Sequence, residues 1–157
     1  MKSTGERMMP LKFDLCYLEH IHRYSFAREF VKDKVIVDIA SGEGYGTHLL
    51  ASLANKAIGI DISKEAVYHA KSKYKKDNLE YLIGSAINIP LESGSIDVVI
   101  SFETIEHHDK HQEMINEIKR ILKPDGRLII STPDKLYYSD LPEIKNEYHV
   151  KELYYNE

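Results

Sequence analysis

The segment from Val35 to Gly46 constrains the fold of this chain more than any other part of the sequence. Residues Val35–Ile39 form an apolar run that only Asp38 interrupts, which predicts a buried β-strand. Glycines follow at 42, 44 and 46, and a helix is expected to begin near Tyr45. Such glycines let the backbone approach a ligand closely, and a helix N-terminus presents unpaired N–H groups. The segment therefore predicts a strand, a loop and a helix that enclose a pocket for a nucleotide-type cofactor.

Two features of this segment favour S-adenosylmethionine over a nicotinamide dinucleotide. The glycine spacing is G-x-G-x-G, whereas the dinucleotide fingerprint is G-x-G-x-x-G. In addition, Asp38 near the end of the strand would repel a pyrophosphate, and it suits a cationic ligand such as S-adenosylmethionine, which carries an ammonium and a sulfonium. A second acid, Asp61, ends a predicted strand over 57–61 and is placed to accept both ribose hydroxyls. That last feature serves either cofactor.

Strands and helices alternate along the rest of the chain, which predicts an α/β fold with a mostly parallel sheet. Strands are expected at 35–39, 57–61, 79–83, 96–102 and 127–131. Helices are expected at 13–31, from about 45 to 54, from an N-cap at Ser63 to about 75, and over the apolar positions 114–122, with a stop at 123–126. Residues 1–157 are interpreted as one domain, with an N-terminal cap region 1–33, a cofactor-binding core 34–133 and a tail 134–157.

Polar residues follow the predicted ends of four strands: Asp38, Asp61, Ser85 and Glu103. Ligands of open parallel sheets bind beyond the carboxyl ends of the strands. We therefore expect these four side chains to converge on one crevice.

Bulk properties exclude several classes of protein. A composition of 43% hydrophobic and 29% charged residues is typical of a globular domain, and a net charge of −4 argues against nucleic-acid binding. Cys16 is the single cysteine, which excludes an internal disulfide and favours a reducing compartment. We find no apolar run near the ~20 residues of a membrane span and no secretory signal. The expected location is cytoplasmic, without membrane contact.

Four segments within residues 34–133 carry recognisable motifs: VDIASGEG at 37–44, GIDIS at 59–63, IDVVISFETIEH at 96–107 and EIKRILKPDGRL at 117–128. In this order they resemble the class I S-adenosylmethionine-dependent methyltransferases, in particular the group that includes the quinone-biosynthesis methyltransferases (the methyltransferase type 11 group). The resemblance implies a Rossmann-like three-layer sandwich with strand order 3-2-1-4-5. It also implies S-adenosylmethionine as cofactor, S-adenosylhomocysteine as product, and a small-molecule hydroxyl or amine as acceptor. Residues 4–10 and 149–153 are similar to those of a bacterial subset of the family that is associated with glycan modification. A glycan is therefore a further candidate acceptor.

The same resemblance implies a set of cofactor-binding residues: Arg23, Asp38, Ala40, Ser41, Gly42, Glu43, Gly44, Asp61, Ile62, Ser85, Ala86, Phe102 and Glu103. Two positions depart from the family pattern. Ala40 stands where the family has the first glycine of its loop, and Ser85 replaces an acid that meets the adenine amine. Arg23, on the helix before the first strand, is placed to meet the carboxylate of the cofactor or to stay solvated.

His107 is the first candidate for a catalytic base because it lies just past the fourth strand. Shaping the pocket by hydrogen bonding is the alternative role. His149, on a segment that could fold over the mouth of the pocket, is the second candidate. His107 and His111 lie four residues apart, but the H-E-x-x-H pattern and a neighbouring cysteine are absent, so no metal site is expected.

The family normally closes its sheet with two further strands, whereas only 24 residues follow Pro133. We therefore expect the strand 127–131 to be an exposed edge. Either a homodimer forms through this edge, or the tyrosine-rich tail covers it. Two other functions stay open: a cofactor-binding module without a complete acceptor site, and a nicotinamide-dependent oxidoreductase.

Overall fold

The computed structural model describes residues 15–157, with side chains from Leu18 onward. Three expectations fall outside the described residues: the first two residues of the N-terminal helix, the motif at 4–10, and the expectation that the N-terminal residues are not a secretory signal.

Five strands form the sheet: β1 Val35–Ile39, β2 Lys56–Asp61, β3 Leu79–Ile83, β4 Ile96–Phe102 and β5 Leu122–Ser131. Four helices flank it: α1 Leu15–Ala27, α2 Tyr45–Leu50, α3 Lys64–Lys73 and α4 His111–Ile121. Short helical turns lie at Arg28–Phe30, Ile105–His107 and Leu136–Asp140.

All of the strand pairs are parallel, and the strand order is β3-β2-β1-β4-β5. Val37 of β1 lies opposite Ile58 of β2 on one side and Val99 of β4 on the other. The chain adds β2 and β3 on one side of β1 and then returns to add β4 and β5 on the other side. This switch in strand order opens a crevice for ligands between β1 and β4. The predicted fold class and strand order are confirmed.

The core has two layers because the side chains of the central strands alternate between the faces of the sheet. Ile36 joins the cluster that packs under α1 and α2, whereas Val37 and Ile39 join the cluster under α4. On the α4 side, the helix contributes fully buried Met114 and Ile118. Both faces of β1 and β4 are therefore covered, as their continuous apolar runs predict.

Helix boundaries differ from the expected ones in two places. Helix α1 ends at Ala27 and continues as a single tight turn, short of residue 31. Helix α2 ends at Leu50, four residues early, and the side-chain amide of Asn78 donates to the carbonyls of Ala51 and Ala54 beyond it, at 2.8 and 2.9 Å. The expected N-cap of α3 is confirmed, since the Ser63 hydroxyl accepts from the backbone of that helix.

Strand β5 begins at Leu122, so the expectation of a break over 123–126 before the strand is wrong. Leu122 already pairs with Ile96, and the register then shifts before Val98 pairs with Arg127. The Lys-Pro-Asp-Gly segment is therefore an irregularity inside the strand. No sixth strand joins the sheet within residues 15–157, and β5 is its outer strand.

The last residues of the chain fold back toward the carboxyl ends of the strands. Asp134 pairs with Leu153, and the backbone N–H groups of Val150 and Lys151 both donate to the carbonyl of Glu106, at 2.8 and 3.1 Å. The segment 134–153 thereby forms a strap across this end of the sheet. None of the helices within the described residues has the length and apolar character needed to cross a membrane.

Candidate active site

A cavity of about 960 Å³ opens at the carboxyl ends of the strands. Twelve of the fourteen residues proposed from sequence line it: Arg23, Ala40, Ser41, Gly42, Glu43, Asp61, Ile62, Ser85, Ala86, Phe102, Glu103 and His107. His149 of the strap lines the same cavity. The structure thus brings together residues from α1, the ends of four strands and the tail.

Asp38 does not line the cavity, contrary to the expectation that it converges there with Asp61, Ser85 and Glu103; the end of β1 lines the cavity through residues 40–43 instead. It lies within β1 and is 1% exposed, and its carboxylate accepts from the hydroxyls of Tyr24 and Thr47 at 3.1 and 2.7 Å. Burial raises the pKa of the Asp38 carboxyl to about 7, although both hydroxyl bonds lower it. This residue therefore joins helices α1 and α2 to the strand beneath them.

Gly44 also lies outside the cavity lining. A Cβ at this glycine would meet the ring of Tyr81 at 2.6 Å, and the Tyr81 hydroxyl donates to the carbonyl of Gly44. The glycine is thus needed for packing behind the loop. Gly42 differs, because a Cβ there would meet no atom within 4 Å.

The loop after β1 is held by Asp61, the last residue of β2. One carboxylate oxygen accepts from the N–H of Gly42 and the other from the N–H of Ser63, each at 2.8 Å. Ala40 and Gly42 adopt left-handed φ angles of 59° and 54°, a conformation that favours glycine. The structure therefore accounts for glycine as the family's residue at position 40, where this chain carries the strained alanine.

The first helix reaches the site through Arg23. Its guanidinium lies 3.4 Å from the carboxylate of Glu103 and 3.9 Å from that of Glu19. Glu103 also accepts from the hydroxyl of Ser131, at 2.6 Å. Arg23 is therefore paired with carboxylates instead of being solvated only by water. Through Glu103 it links α1 to the ends of β4 and β5.

Negative charge dominates the wall of the cavity. Six lining side chains are carboxylates, from Glu19, Glu43, Asp61, Glu103, Glu106 and Asp109, whereas two lining residues are Arg or Lys, namely Arg23 and Lys110. A concave surface of one sign concentrates ligands of the opposite sign. The site accordingly favours a cationic ligand.

A second group of polar side chains lies where the strap meets the turn after β4. Glu106, His107 and His149 each bring a nitrogen or oxygen atom within 4.8 Å of the others. Burial raises the pKa of the Glu106 carboxyl. The ring nitrogen Nδ1 of His107 lies 3.1 Å from the carbonyl of Tyr148. His111, four residues after His107, contacts the carbonyl of His108.

Sequence reasoning missed several residues that line the cavity: His20, Tyr24, Tyr45, Glu106, Tyr138 and Tyr148. For Glu106 there was a signal, since it directly precedes His107 and follows Glu103 by three residues. For the tyrosines of the strap, nothing in the local pattern indicated which way the tail would fold.

Comparison with known proteins agrees with this geometry. A family described as a methyltransferase domain matches residues 37–130. The chain is 31% identical over 155 residues to a probable S-adenosylmethionine-dependent methyltransferase of Mycolicibacterium smegmatis, an alignment that covers 96% of this chain and 59% of that protein. The chain therefore spans about three fifths of the length of this curated relative.

Solved structures share the fold. The YcgJ protein of Bacillus subtilis superimposes with a TM-score of 0.76 at 21% identity, over 87% of this chain and 64% of that chain. A SAM-dependent methyltransferase of Aquifex aeolicus gives a TM-score of 0.69 at 25% identity, over 78% of this chain and 69% of that chain. Since the family match spans more than half of the chain, from the first strand to the fifth, the chain belongs to the methyltransferase domain family, among the class I S-adenosylmethionine-dependent methyltransferases.

Proposed function

We propose that this protein binds S-adenosylmethionine and transfers its methyl group to a hydroxyl or amine of a small-molecule or glycan acceptor. The carboxylate-rich wall of the cavity is the observation that carries the proposal. The ammonium and sulfonium of S-adenosylmethionine complement a wall of six carboxylates and two cationic side chains. The pyrophosphate of a nicotinamide dinucleotide would meet repulsion from these carboxylates, among which Asp38 is not counted.

The residues present fit this cofactor in size and in hydrogen bonding. A cavity of about 960 Å³ is at the upper end of the roughly 300–1,000 Å³ of ligand pockets. Gly42 leaves open space where a Cβ would stand. Each oxygen of the Asp61 carboxylate accepts one backbone N–H and retains a second lone pair for a ribose hydroxyl. Ser41 carries a buried hydroxyl without a hydrogen-bond partner among the described residues.

When bound, the cofactor supplies a methyl group that its sulfonium already activates. The chain has to hold the acceptor in line with that group, and such positioning contributes about 7–11 kcal/mol. His107 lines the same cavity as Asp61 and is the candidate for handling the acceptor proton. We assign the adenine end to Ile62, Ser85 and Ala86; the Ser85 hydroxyl already accepts from the N–H of Ile87 at 3.3 Å.

Calorimetric titration with S-adenosylmethionine, S-adenosylhomocysteine and NAD tests the cofactor assignment. We expect the first two to bind with one molecule per chain and NAD not to bind. Asp61→Asn should weaken S-adenosylhomocysteine binding by on the order of 1.5–3 kcal/mol, because a charged acceptor of the ribose hydroxyls is lost. Asp125→Asn, at an exposed carboxylate of β5, is the matched control.

Binding of NAD with comparable affinity would overturn the proposed cofactor, and an Asp61→Asn variant with the affinity of the parent would remove Asp61 from the ribose site. Thermal unfolding of both variants separates loss of binding from loss of the loop that Asp61 holds. Transfer of a labelled methyl group to hydroxyl and amine acceptors then tests the reaction. Cofactor binding without transfer to any acceptor would favour a cofactor-binding module.

A further inference from the structure

We propose that Glu106, His107 and His149 bind one divalent first-row metal ion in the wall of the cavity. The three side chains come from the turn after β4 and from the strap, and their ligand atoms all lie within 4.8 Å of one another. Tetrahedral coordination at about 2.1 Å sets ligand atoms roughly 3.4 Å apart. Small side-chain rotations therefore bring the three atoms onto one ion.

Glu106 provides an independent observation that points to a cation. The residue is 1% exposed, and its oxygen Oε2 accepts from the hydroxyl of Thr132 at 3.1 Å. The other oxygen, Oε1, is buried and has no hydrogen-bond partner among the described residues. A buried carboxylate oxygen left unsatisfied is costly. A metal ion between Glu106 and the two imidazoles would satisfy it.

Both histidines are oriented as metal-binding histidines usually are. Nδ1 of His107 donates to the carbonyl of Tyr148 at 3.1 Å, and Nδ1 of His149 donates to the carboxylate of Glu152. Glu152 is itself fixed by the hydroxyl of Ser139, at 2.8 Å. With the proton on Nδ1, Nε2 carries the lone pair of each imidazole that can bind an ion. Metal-binding histidines almost always donate their second nitrogen to a carbonyl or a carboxylate in this way.

The backbone fixes the distance between the two parts of the chain that supply the ligands. The N–H groups of Val150 and Lys151 donate to the carbonyl of Glu106, so the strap is anchored on the residue that carries the carboxylate ligand. The side chain of His149 is 7% exposed and stacks on the ring of Tyr138. The site is therefore held in place by contacts other than those the ion would make.

Two imidazoles and a carboxylate suit zinc, manganese or cobalt better than magnesium or calcium, which prefer oxygen ligands. Three protein ligands leave at least one position of the ion open, as in catalytic sites. Since all three ligands line the cavity, an acceptor hydroxyl bound at that position would become more acidic and lose its proton to water. This use of the ion rests on the proposed methyl transfer, whereas the binding of the ion does not. His107 would then act as a ligand and not as a base.

The test is metal binding by the tag-free chain after treatment with EDTA, without cofactor or acceptor. Calorimetry with Zn²⁺ and visible absorption with Co²⁺ should both give one ion per chain. His149→Ala and Glu106→Gln should each weaken Zn²⁺ binding by at least 100-fold, and Glu152→Ala by on the order of 10–100-fold through the orientation of His149. His22→Ala, an exposed histidine of α1, is the matched control.

Failure of the folded parent to bind Zn²⁺, Co²⁺ and Mn²⁺ at millimolar concentration would overturn the proposal. Binding that persists in both ligand variants, or that His22→Ala removes equally, would place the ion elsewhere and also overturn it. Circular dichroism of each variant checks the fold, and titration with S-adenosylhomocysteine runs in parallel. Loss of metal binding with intact S-adenosylhomocysteine binding separates this site from the proposed cofactor site, whose failure would show the reverse pattern.

Discussion

Asp38 is a buried carboxyl whose titration should be visible in the stability of the protein. Because burial raises its pKa to about 7 from 3.8, the folded chain binds this proton more tightly than the unfolded chain. The contribution of Asp38 to stability is therefore fully present below about pH 3.8 and is lost as the pH rises to about 7. Tyr24 and Thr47 satisfy the carboxylate only in part.

We predict that Asp38→Asn flattens this pH dependence, because the amide cannot ionise. Relative to the variant, the free energy of unfolding of the parent should fall by on the order of 3–4 kcal/mol between about pH 4 and pH 8. Urea unfolding at a series of pH values measures it. The control Asp125→Asn should keep the slope of the parent, and parallel curves for Asp38→Asn and the parent would contradict the prediction.

At this scale, the sequence could predict which residues stand near strand ends but not which way each side chain turns. Asp61 and Asp38 both stand near the end of an apolar run, yet Asp38 pairs with Gly59, two residues before Asp61, and only Asp61 lines the cavity. Asp38 is buried under α1, where the hydroxyl of Tyr24, 14 residues earlier in the chain, donates to its carboxylate. A periodicity of 2 or 3.6 residues contains no information about such a contact.

Helix α4 fixes the long connection between β3 and β4 through one pair of side chains. Arg120 donates to the carbonyls of Leu91 and Ile89 at 2.7 and 2.8 Å, and Glu117 accepts both from Arg120 and from the N–H of Ile89. The hydrogen bond from Arg120 lowers the pKa of Glu117. These two residues belong to the EIKRILKPDGRL segment. Part of this motif therefore serves to hold the connection between β3 and β4 in place.

We predict that Arg120→Ala destabilises the fold by about 1.5–3 kcal/mol, because two carbonyls and a carboxylate lose a charged donor. The loss should be smaller near pH 3, where Glu117 is protonated in the variant and increasingly in the parent. Thermal unfolding at both pH values measures the effect. Lys119→Ala, at an exposed residue of the same helix, should change stability by less than about 0.5 kcal/mol. An equal effect of both substitutions would show that the hydrogen bonds of Arg120 do not stabilise the fold.

Elements with one dominant pattern were predictable, and those defined by long-range contacts were not. The bounds of β1, β3 and β4 agree with their apolar runs. The early start of β5 was missed because Pro124 and Gly126 read as a break, although Leu122 had already paired with Ile96. Local turn residues cannot reveal that a neighbouring strand continues to pair alongside them.

Among residues 15–157, β5 is the outer strand of the sheet, and no residue of the strap pairs with it. Among the described residues, the backbone of the strap hydrogen-bonds with Glu106 and within the strap itself, whereas Ile130 of β5 is 38% exposed. Of the two outcomes expected from the sequence, a covering tail or a dimer, the described residues show no tail segment paired with β5, and the dimer stays a prediction. An outer strand with apolar side chains is a template for pairing with another chain.

We predict concentration-dependent dimerisation through β5. Light scattering from micromolar to millimolar concentration should show the mass doubling, and Ile130→Lys should keep the protein monomeric. Leu141→Lys, at a residue of the strap that is 64% exposed, is the control and should dimerise like the parent. A mass that stays monomeric over the whole range would contradict the prediction, as would identical behaviour of the two variants.

The tyrosine rings behind the glycine-rich loop restrict which substitutions this sequence can accept. A Cβ at Gly46 would lie 2.0 Å from the ring of Tyr24, and one at Gly44 would collide with the ring of Tyr81. Each glycine is thus matched to an aromatic partner far away in the chain. Among homologues, an alanine at position 46 should therefore occur together with a smaller residue at position 24, whereas glycine should persist at 42 and 44, because left-handed φ angles of 54° and 83° favour it there.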